Sequence, residues 1–249
     1  YYCDEESGNL KCDAQDENSK WYGSYFTFGD INNLVLHDNV AYLASDLGLQ
    51  MVTLAVPYVP VFAGWAYSDG SANDIAVNND KIAFVADQKG IRIYDCGFSL
   101  IPIMKDRIEL GQPVWALSLN KENGTLFAVT DDTVYVYDVS NESNVIKLGN
   151  AATNDLALND VAVVDSIAYT AGQRGIYAVD FSLVSQPELI MEMITPSIIN
   201  RLASDGRFLY TVDERGENIA YTLTSPVEPG SIGSHSVSGW VNGVSTDSK

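Results

Sequence analysis

The pentapeptide Asn-Asp-Ile-Ala-Val at residues 73–77 recurs as Asn-Asp-Val-Ala-Val at residues 159–163. Weaker copies stand at residues 32–36, 200–204 and 242–244, and a degenerate copy, Pro-Val-Trp-Ala-Leu, stands at residues 113–117. The repeats therefore begin near residues 32, 73, 113, 159, 200 and 242. A regular period of this length is typical of proteins built from stacked or radially arranged units.

A second landmark keeps nearly the same register. Gly48, Gly90, Gly175 and Gly216 are separated by 42, 85 and 41 residues, and a run rich in Val, Ile and Tyr follows each of them. Each unit reads as four short strands between turns of Gly, Asn and Asp, without a sustained helical period. Four strands in such a unit form a propeller blade. We predict an all-β propeller of four-stranded blades, with five full repeats and a partial closing blade, so that the intact ring has six or more.

Two regions are predicted. Residues 1–20 form an acidic N-terminal extension, and residues 21–249 form the propeller. Residues 21–29 resemble the last strand of a blade and residues 240–245 the first strand of one, so the closing blade lacks its two middle strands. We therefore expect the sequence to be a piece of a longer chain. The aromatic residues Trp21, Tyr22, Tyr25, Phe26 and Phe28 either pack between blades or form an exposed binding surface.

The repeats resemble a known family, the LVIVD-repeat β-propellers. The residues that carry the resemblance are Ala-Tyr-Leu-Ala-Ser-Asp-Leu-Gly-Leu at 41–49, Ala-Phe-Val-Ala-Asp at 83–87 and Val-Tyr-Val-Tyr-Asp-Val-Ser at 134–140. The first and fifth units depart from the pattern, with Thr53 and Thr222 in place of Asp. The resemblance implies a secreted or surface-exposed bacterial or archaeal protein without a known enzymatic activity.

Composition excludes several partners. The chain carries 33 acidic and 14 basic residues, a formal net charge of −19, and 46% of its residues are hydrophobic. Such an acidic protein is repelled by nucleic acid and by anionic membrane surfaces. The most apolar stretch, residues 51–67, is broken by Pro57, Pro60 and Gly64, so we predict no membrane span. The expected partner is a protein, cationic or bridged by Ca²⁺, or another copy of the chain.

The three cysteines fall into two settings. Cys3 and Cys12 bracket a polar, acidic stretch that cannot build a core. They form either a disulfide, which would imply an oxidising compartment, or two free thiols. Cys96 follows an apolar strand and is expected to be a buried small hydrophobic residue.

One constellation of side chains has metal-binding chemistry. The residues that open the repeats, with the adjacent acids, are expected to converge at the mouth of the central channel: Asn32, Asn73, Asp74, Asn159, Asp160, Asn200 and Asn242. Oxygen ligands at this density suit Ca²⁺. The alternative is structural, since Asn and Asp side chains cap strand ends and turns.

The hairpins between the second and third strands of each repeat open on the same face as these residues. They are expected to supply an interaction face from Asp46, Asp87, Asp131, Asp132, Arg174, Asp213, Glu214 and Arg215. No catalytic motif accompanies them, and the two histidines, His37 and His235, are predicted to lie apart.

These patterns favour an extracellular or cell-surface propeller that acts as a rigid protein-interaction or assembly module and is not an enzyme. Two alternatives stay open. One is a Ca²⁺-dependent, lactonase-like hydrolase that uses Asp74 and Asp160 around a central cation. The other is a subunit of an extracellular filament or surface layer, in which edge strands pair between copies.

Overall fold

The computed structural model describes residues 2–6, 9–13, 24–56, 59–97, 101–239, 241 and 243–246, and for residues 2–13 it describes the backbone alone. Strands β1 (Tyr2–Glu6) and β2 (Asn9–Asp13) pair as an antiparallel hairpin. The register of this hairpin pairs Cys3 with Cys12. The side chains of both cysteines lie outside the described part, so the predicted disulfide stays a prediction.

Five four-stranded antiparallel sheets follow, and in each one the strands lie side by side in chain order. Blade 1 contains β3 (Ile31–His37), β4 (Val40–Ser45), β5 (Gly48–Thr53) and β6 (Val61–Ala66). Blade 2 contains β7 (Asp74–Val77), β8 (Ile82–Ala86), β9 (Gly90–Asp95) and β10 (Ile103–Glu109). Blade 3 contains β11 (Ala116–Asn120), β12 (Thr125–Val129), β13 (Thr133–Asp138) and β14 (Ile146–Ala152).

Blade 4 contains β15 (Leu158–Val164), β16 (Ile167–Gly172), β17 (Gly175–Asp180) and β18 (Glu188–Ile194). Blade 5 contains β19 (Ile199–Ser204), β20 (Phe208–Asp213), β21 (Glu217–Thr222) and β22 (Gly230–Ser236). The predicted all-β propeller with five full repeats is thus confirmed. Among the described residues no helix is long and apolar enough to cross a bilayer.

Among the described residues the apolar core is divided into clusters, four of which lie between two neighbouring blades, and a smaller one lies within blade 1. Phe84 of blade 2 and Leu126 of blade 3 share one cluster, and Val136 of blade 3 and Tyr177 of blade 4 share the next. The second and third strands are apolar on both sides because each side contacts a different neighbour. A single blade would expose both faces, so stability comes from the contacts between blades.

The innermost strands pack in sequence, β3 on β7, β7 on β11, β11 on β15 and β15 on β19. Strands β19 and β3 do not pack against each other in this way. All seven residues of β22 are exposed, and most of β3 is exposed. Blades 1 and 5 therefore each have one face that no other described blade covers.

The repeated glycine of the hairpin has a steric cause. At Gly90, which has a φ of +152°, a Cβ atom would collide with the carbonyl oxygen of Ile108 on the adjacent outer strand. Gly175 has the same relation to the carbonyl oxygen of Met193. Only glycine lets the outer strand approach the third strand this closely.

Candidate interaction face

The hairpins between the second and third strands of each blade lie at one end of the molecule, together with the linkers that enter the next blade. We call this end the loop face. The amide of Val114 donates to the carbonyl of Asp87 at 3.0 Å, and that of Leu158 donates to the carbonyl of Asp131 at 2.8 Å. Each linker is thereby fixed to the hairpin of the blade that precedes it.

Buried carboxylates hold the hairpins in shape. Oδ1 of Asp87 accepts hydrogen bonds from the amides of Lys89 and Gly90, at 2.8 and 3.0 Å. Burial raises the pKa of Asp87. Asp213 accepts from the amides of Arg215 and Glu217 in the corresponding turn of blade 5. Asp87 and Asp213, both predicted to belong to the interaction face, are buried, so their side chains fix the loops and are not themselves available to a partner.

In blades 1 and 2, a side chain of the third strand connects the hairpin to the linker that enters the same blade. The Nε of Arg92 donates to Asp87 at 3.0 Å, and its Nη2 pairs with Asp69 in the linker. In blade 1, Gln50 takes this place: its Oε1 accepts from the amide of Phe28 at 3.0 Å, and its Nε2 donates to Ser45 Oγ at 2.7 Å. Neither tie was predicted from the sequence, because Arg and Gln differ in chemistry and share only their position after the hairpin.

The remaining predicted loop residues are accessible. Asp46, Asp131, Asp132, Arg174 and Arg215 are exposed, and Glu214 is half-buried. Contacts within the face orient several of them, since Trp115 Nε1 donates to Asp131 Oδ1 at 2.7 Å and Ser71 Oγ donates to Asp46 Oδ1 at 3.0 Å. Of these six accessible side chains, four are acidic and two are basic.

The opening asparagines connect adjacent blades. The Nδ2 atoms of Asn32, Asn73 and Asn159 donate to backbone carbonyl oxygens of the following blade, at 2.9, 2.8 and 2.9 Å. The acceptors are Ala72, Val114 and Ile199. Asn200 has the corresponding position in blade 5, and Asn242 lies outside the described residues.

Asp74 and Asp160 make a second connection between blades. Oδ2 of Asp74 accepts from the amide of Leu117 at 2.6 Å, and Oδ2 of Asp160 accepts from the amide of Leu202 at 2.9 Å. Burial, with the charge of Asp160 as a smaller contribution, raises the pKa of Asp74 to about 7. Burial raises that of Asp160 to about 6, against the opposing effect of Arg201.

The predicted calcium site stays a prediction. Five of the seven proposed ligands, Asn32, Asn73, Asp74, Asn159 and Asp160, make the inter-blade hydrogen bonds described above, which is the structural role that the sequence left open. Within the described ranges no group of three His, Cys, Asp or Glu side chains is placed to hold a metal ion. Thermal unfolding with and without millimolar Ca²⁺ tests the site.

Replacing Asn73 by alanine should lower the free energy of unfolding by about 1 to 2 kcal/mol, because the carbonyl of Val114 loses a partly buried hydrogen bond. Urea unfolding measures the change. Asn79→Ala, at an exposed turn residue of the same blade, is the control and should be close to neutral. Equal effects of the two substitutions would contradict a role of Asn73 in joining the blades.

Stability should decrease as the pH rises from about 5 to 8. A carboxyl group whose pKa is raised by folding stabilises the folded state below its unfolded pKa, near 4, and this contribution is lost as the pH rises through the folded value. For Asp74 and Asp160 the folded values are about 7 and about 6. Thermal unfolding at several pH values should therefore give a higher Tm at pH 5.5 than at pH 8.

The Asp74→Asn variant should show a smaller decrease in Tm over this range, since one of the two titrating groups is gone. Asp80→Asn, at an exposed turn, should retain the full decrease. If both variants follow the unsubstituted chain, the dependence comes from the overall negative charge and not from the buried carboxyl groups.

The fold is shared with solved structures. A protein of unknown function from Desulfotomaculum acetoxidans has a TM-score of 0.70 and 13% identity, over 86% of this chain and 73% of its own. A chain of a mitotic checkpoint complex has a TM-score of 0.66 and 10% identity, over 79% of this chain and 63% of its own. The WD40 repeats of RRP9 have a TM-score of 0.57 and 11% identity, over 90% of this chain and 86% of their own.

No protein-family model matches the chain, and no curated protein matches it in sequence. At identities this low, the solved structures show the fold alone. The chain is therefore a β-propeller of five described blades.

Proposed function

We propose that the chain is an extracellular or cell-surface propeller of the LVIVD-repeat type that binds a protein partner through its loop face. The observation that carries the proposal is the fixed geometry of that face. Buried Asp87 and Asp213 shape its hairpins, and backbone hydrogen bonds join hairpin to linker at Asp87 and Asp131. A preordered surface loses little conformational entropy on binding, so that more of the contact energy appears as affinity.

The charge of the face defines the partner. Acidic groups are exposed at Asp46, Asp131 and Asp132, and the chain as a whole carries a formal charge of −19. Opposite charge accelerates encounter and selects among partners. The partner is therefore a protein with a basic surface. The similar fold within a mitotic checkpoint complex, and the likeness to WD40 repeats, support an interaction role.

The N-terminal hairpin supports the extracellular location. Its register places Cys3 opposite Cys12, and opposed residues of an antiparallel pair have Cα atoms at a separation that a disulfide can span. A disulfide here would imply an oxidising compartment. Alkylation of the unfolded, unreduced chain should then modify Cys96 alone, whereas modification of all three cysteines would argue against that compartment.

Neutralising the loop face tests the interaction. The triple variant Asp46→Asn, Asp132→Asn, Glu214→Gln should bind a fluorescent decalysine peptide about tenfold more weakly at low salt, if each charge contributes about 0.5 kcal/mol. The matched control carries Asp80→Asn, Glu122→Gln and Asp165→Asn, which are exposed residues in turns at the opposite end. Both variants change the net charge by the same amount.

Fluorescence anisotropy gives the dissociation constants. A loss confined to the loop-face variant supports the proposal. Equal losses in the two variants would show that the peptide responds to net charge, and the loop face would then have no special role.

A further inference from the structure

The side of blade 1 that faces away from blade 2 is apolar and is not covered by another described blade, although Tyr25 and Ile31 pack against its centre. We call it the open face of blade 1. Leu34 and Leu36 of β3 are 53% and 63% exposed. One repeat later, Ile75 and Val77 of β7 stand at the same sheet positions and are 3% and 1% exposed, because blade 1 covers them. The open face thus has the apolar side chains of a contact between blades, but no described blade packs against it.

The outer half of this face is aromatic. Phe62 and Trp65 of β6 project from it, and the linker residue Phe28 meets Phe62 edge to face with ring centroids 6.2 Å apart. Together with Tyr25 and Tyr67 these rings line a groove of about 570 Å³ whose walls are almost entirely apolar. Exposed and contiguous apolar side chains of this kind are a feature of interaction sites.

Residues 24–30 approach blade 1 along the path that a linker takes between two blades. Phe28 lies 41 residues, about one repeat, before Asp69. Gln50 bonds to Phe28 in blade 1 as Arg92 bonds to Asp69 in blade 2. At Asp69 this linker comes from the outer strand of the preceding blade, β6. Residues 24–30 therefore have the place of a linker that enters a blade.

The opposite wall of the gap belongs to blade 5. Tyr210, Ala220 and His235 line a groove of about 450 Å³ there, and Val244 contributes to it. Thr246 Oγ1 donates to the carbonyl of Ser204, the last residue of β19, at 3.0 Å, so residue 246 lies beside the end of the innermost strand. A chain in this place has the position of the innermost strand of a further blade.

We propose that the gap between blades 5 and 1 is a docking site for an apolar β-hairpin, which supplies the two middle strands of a sixth blade. The hairpins that fill this role in blades 2 and 4 span residues 82–95 and 167–180, 14 residues each. The occupant is a hairpin of that length with small and aromatic side chains on both faces. A second copy of the chain is the weaker fit, because two molecules of formal charge −19 repel each other.

The chain's own hairpin is the probe. A copy of residues 167–180 is fused through a flexible linker after residue 249, so that the equivalents of Tyr169 and Ile176, which face blade 5 in blade 4, can face blade 1. The fusion should raise Tm by at least about 5 °C, since a ligand that binds only the folded state stabilises it. It should also slow amide exchange in residues 31–37.

Two variants serve as controls. One carries Tyr169→Asp and Ile176→Asp in the fused copy alone, and the other carries Leu36→Asp in the open face. Each should abolish the gain in Tm. Leu36 is exposed, so its replacement should leave the parent chain folded.

Sedimentation of the unfused chain completes the test. A gain in Tm that both controls remove supports the hairpin site. If the fusion does not raise Tm, or if the gain persists in the controls, the proposed hairpin site is wrong. A stable dimer of the unfused chain that the fusion does not dissociate would assign the gap to a second copy. None of these outcomes depends on the loop face, so the hairpin site and the proposed function can fail separately.

Discussion

Val77→Asp should unfold the protein at room temperature, whereas Leu36→Asp should leave it folded. The two residues are one repeat apart and occupy the same position of the innermost strand, but Val77 is 1% exposed and Leu36 is 63% exposed. A carboxylate at Val77 would be buried without a partner between blades 1 and 2. Such a change costs several kcal/mol, about the whole stability of many domains.

Circular dichroism and urea unfolding measure the two effects. For Leu36→Asp we expect a change of less than about 1 kcal/mol, as for other exposed positions. Leu36→Ala and Val77→Ala form a second pair in which no charge is introduced, and the loss should again be larger at Val77. Equal destabilisation at the two sites would mean that Leu36 is also covered, and that the face of blade 1 is not open.

Gly90→Ala is expected to have the second largest effect. The new Cβ would collide with the carbonyl oxygen of Ile108, and a φ of +152° is unfavourable for alanine in itself. The Cβ atom has no rotational freedom on β9 and the oxygen belongs to the backbone of β10, so relief requires separation of the two strands. We expect a loss of about 3 kcal/mol or more in the free energy of unfolding, as for other severe backbone conflicts.

Gly233→Ala is the control for this substitution. Gly233 lies in the exposed strand β22, and a Cβ atom there meets nothing within 4 Å. Its replacement should be neutral or slightly stabilising, because alanine restricts the unfolded chain. A loss at Gly90 no larger than that at Gly233 would contradict the close approach of the outer strand.

The sequence predicted the fold because the blades repeat both a pattern of strands and a set of contacts. The asparagines at 32, 73 and 159 recur since each donates to the next blade, and such a bond requires the same side chain at the same register. Gly90 and Gly175 recur for steric reasons. The sequence repeat therefore reflects the contacts between and within the blades.

The two sequence landmarks depart from the structural register in blades 3 and 5. Trp115, and not Pro113, stands where Asn73 stands in blade 2: the amide of Trp115 donates to Val129 as that of Asn73 donates to Ala86. In blade 5 the turn is longer by one residue, so that Glu217 pairs with β22 where Gly90 pairs with β10. These shifts involve only local turn geometry, which periodicity does not encode.

The sequence analysis also did not predict which acidic residues of the loop face are buried. Asp87 and Asp132 both sit in hairpins, but Asp87 is fully buried and Asp132 is exposed. The difference comes from their places in the hairpin. Asp87 is the first hairpin residue, where blade 3 has the equally buried Thr130, and both donate their amides across the turn. Asp132 lies two residues further on, where blade 2 has the exposed Lys89. The position within the hairpin, and not residue type, decides which acids a partner can reach.

Hydrogen exchange measured blade by blade tests the central claim, that the blades pack in series and leave the first and fifth with one open face each. Blades 2, 3 and 4 contact two neighbours, whereas blades 1 and 5 contact one, so local opening should require more free energy in the middle of the series. We predict the slowest exchange in β8, β12 and β16 and faster exchange in β4 and β20. Equal protection of the second strands of all five blades would contradict the account.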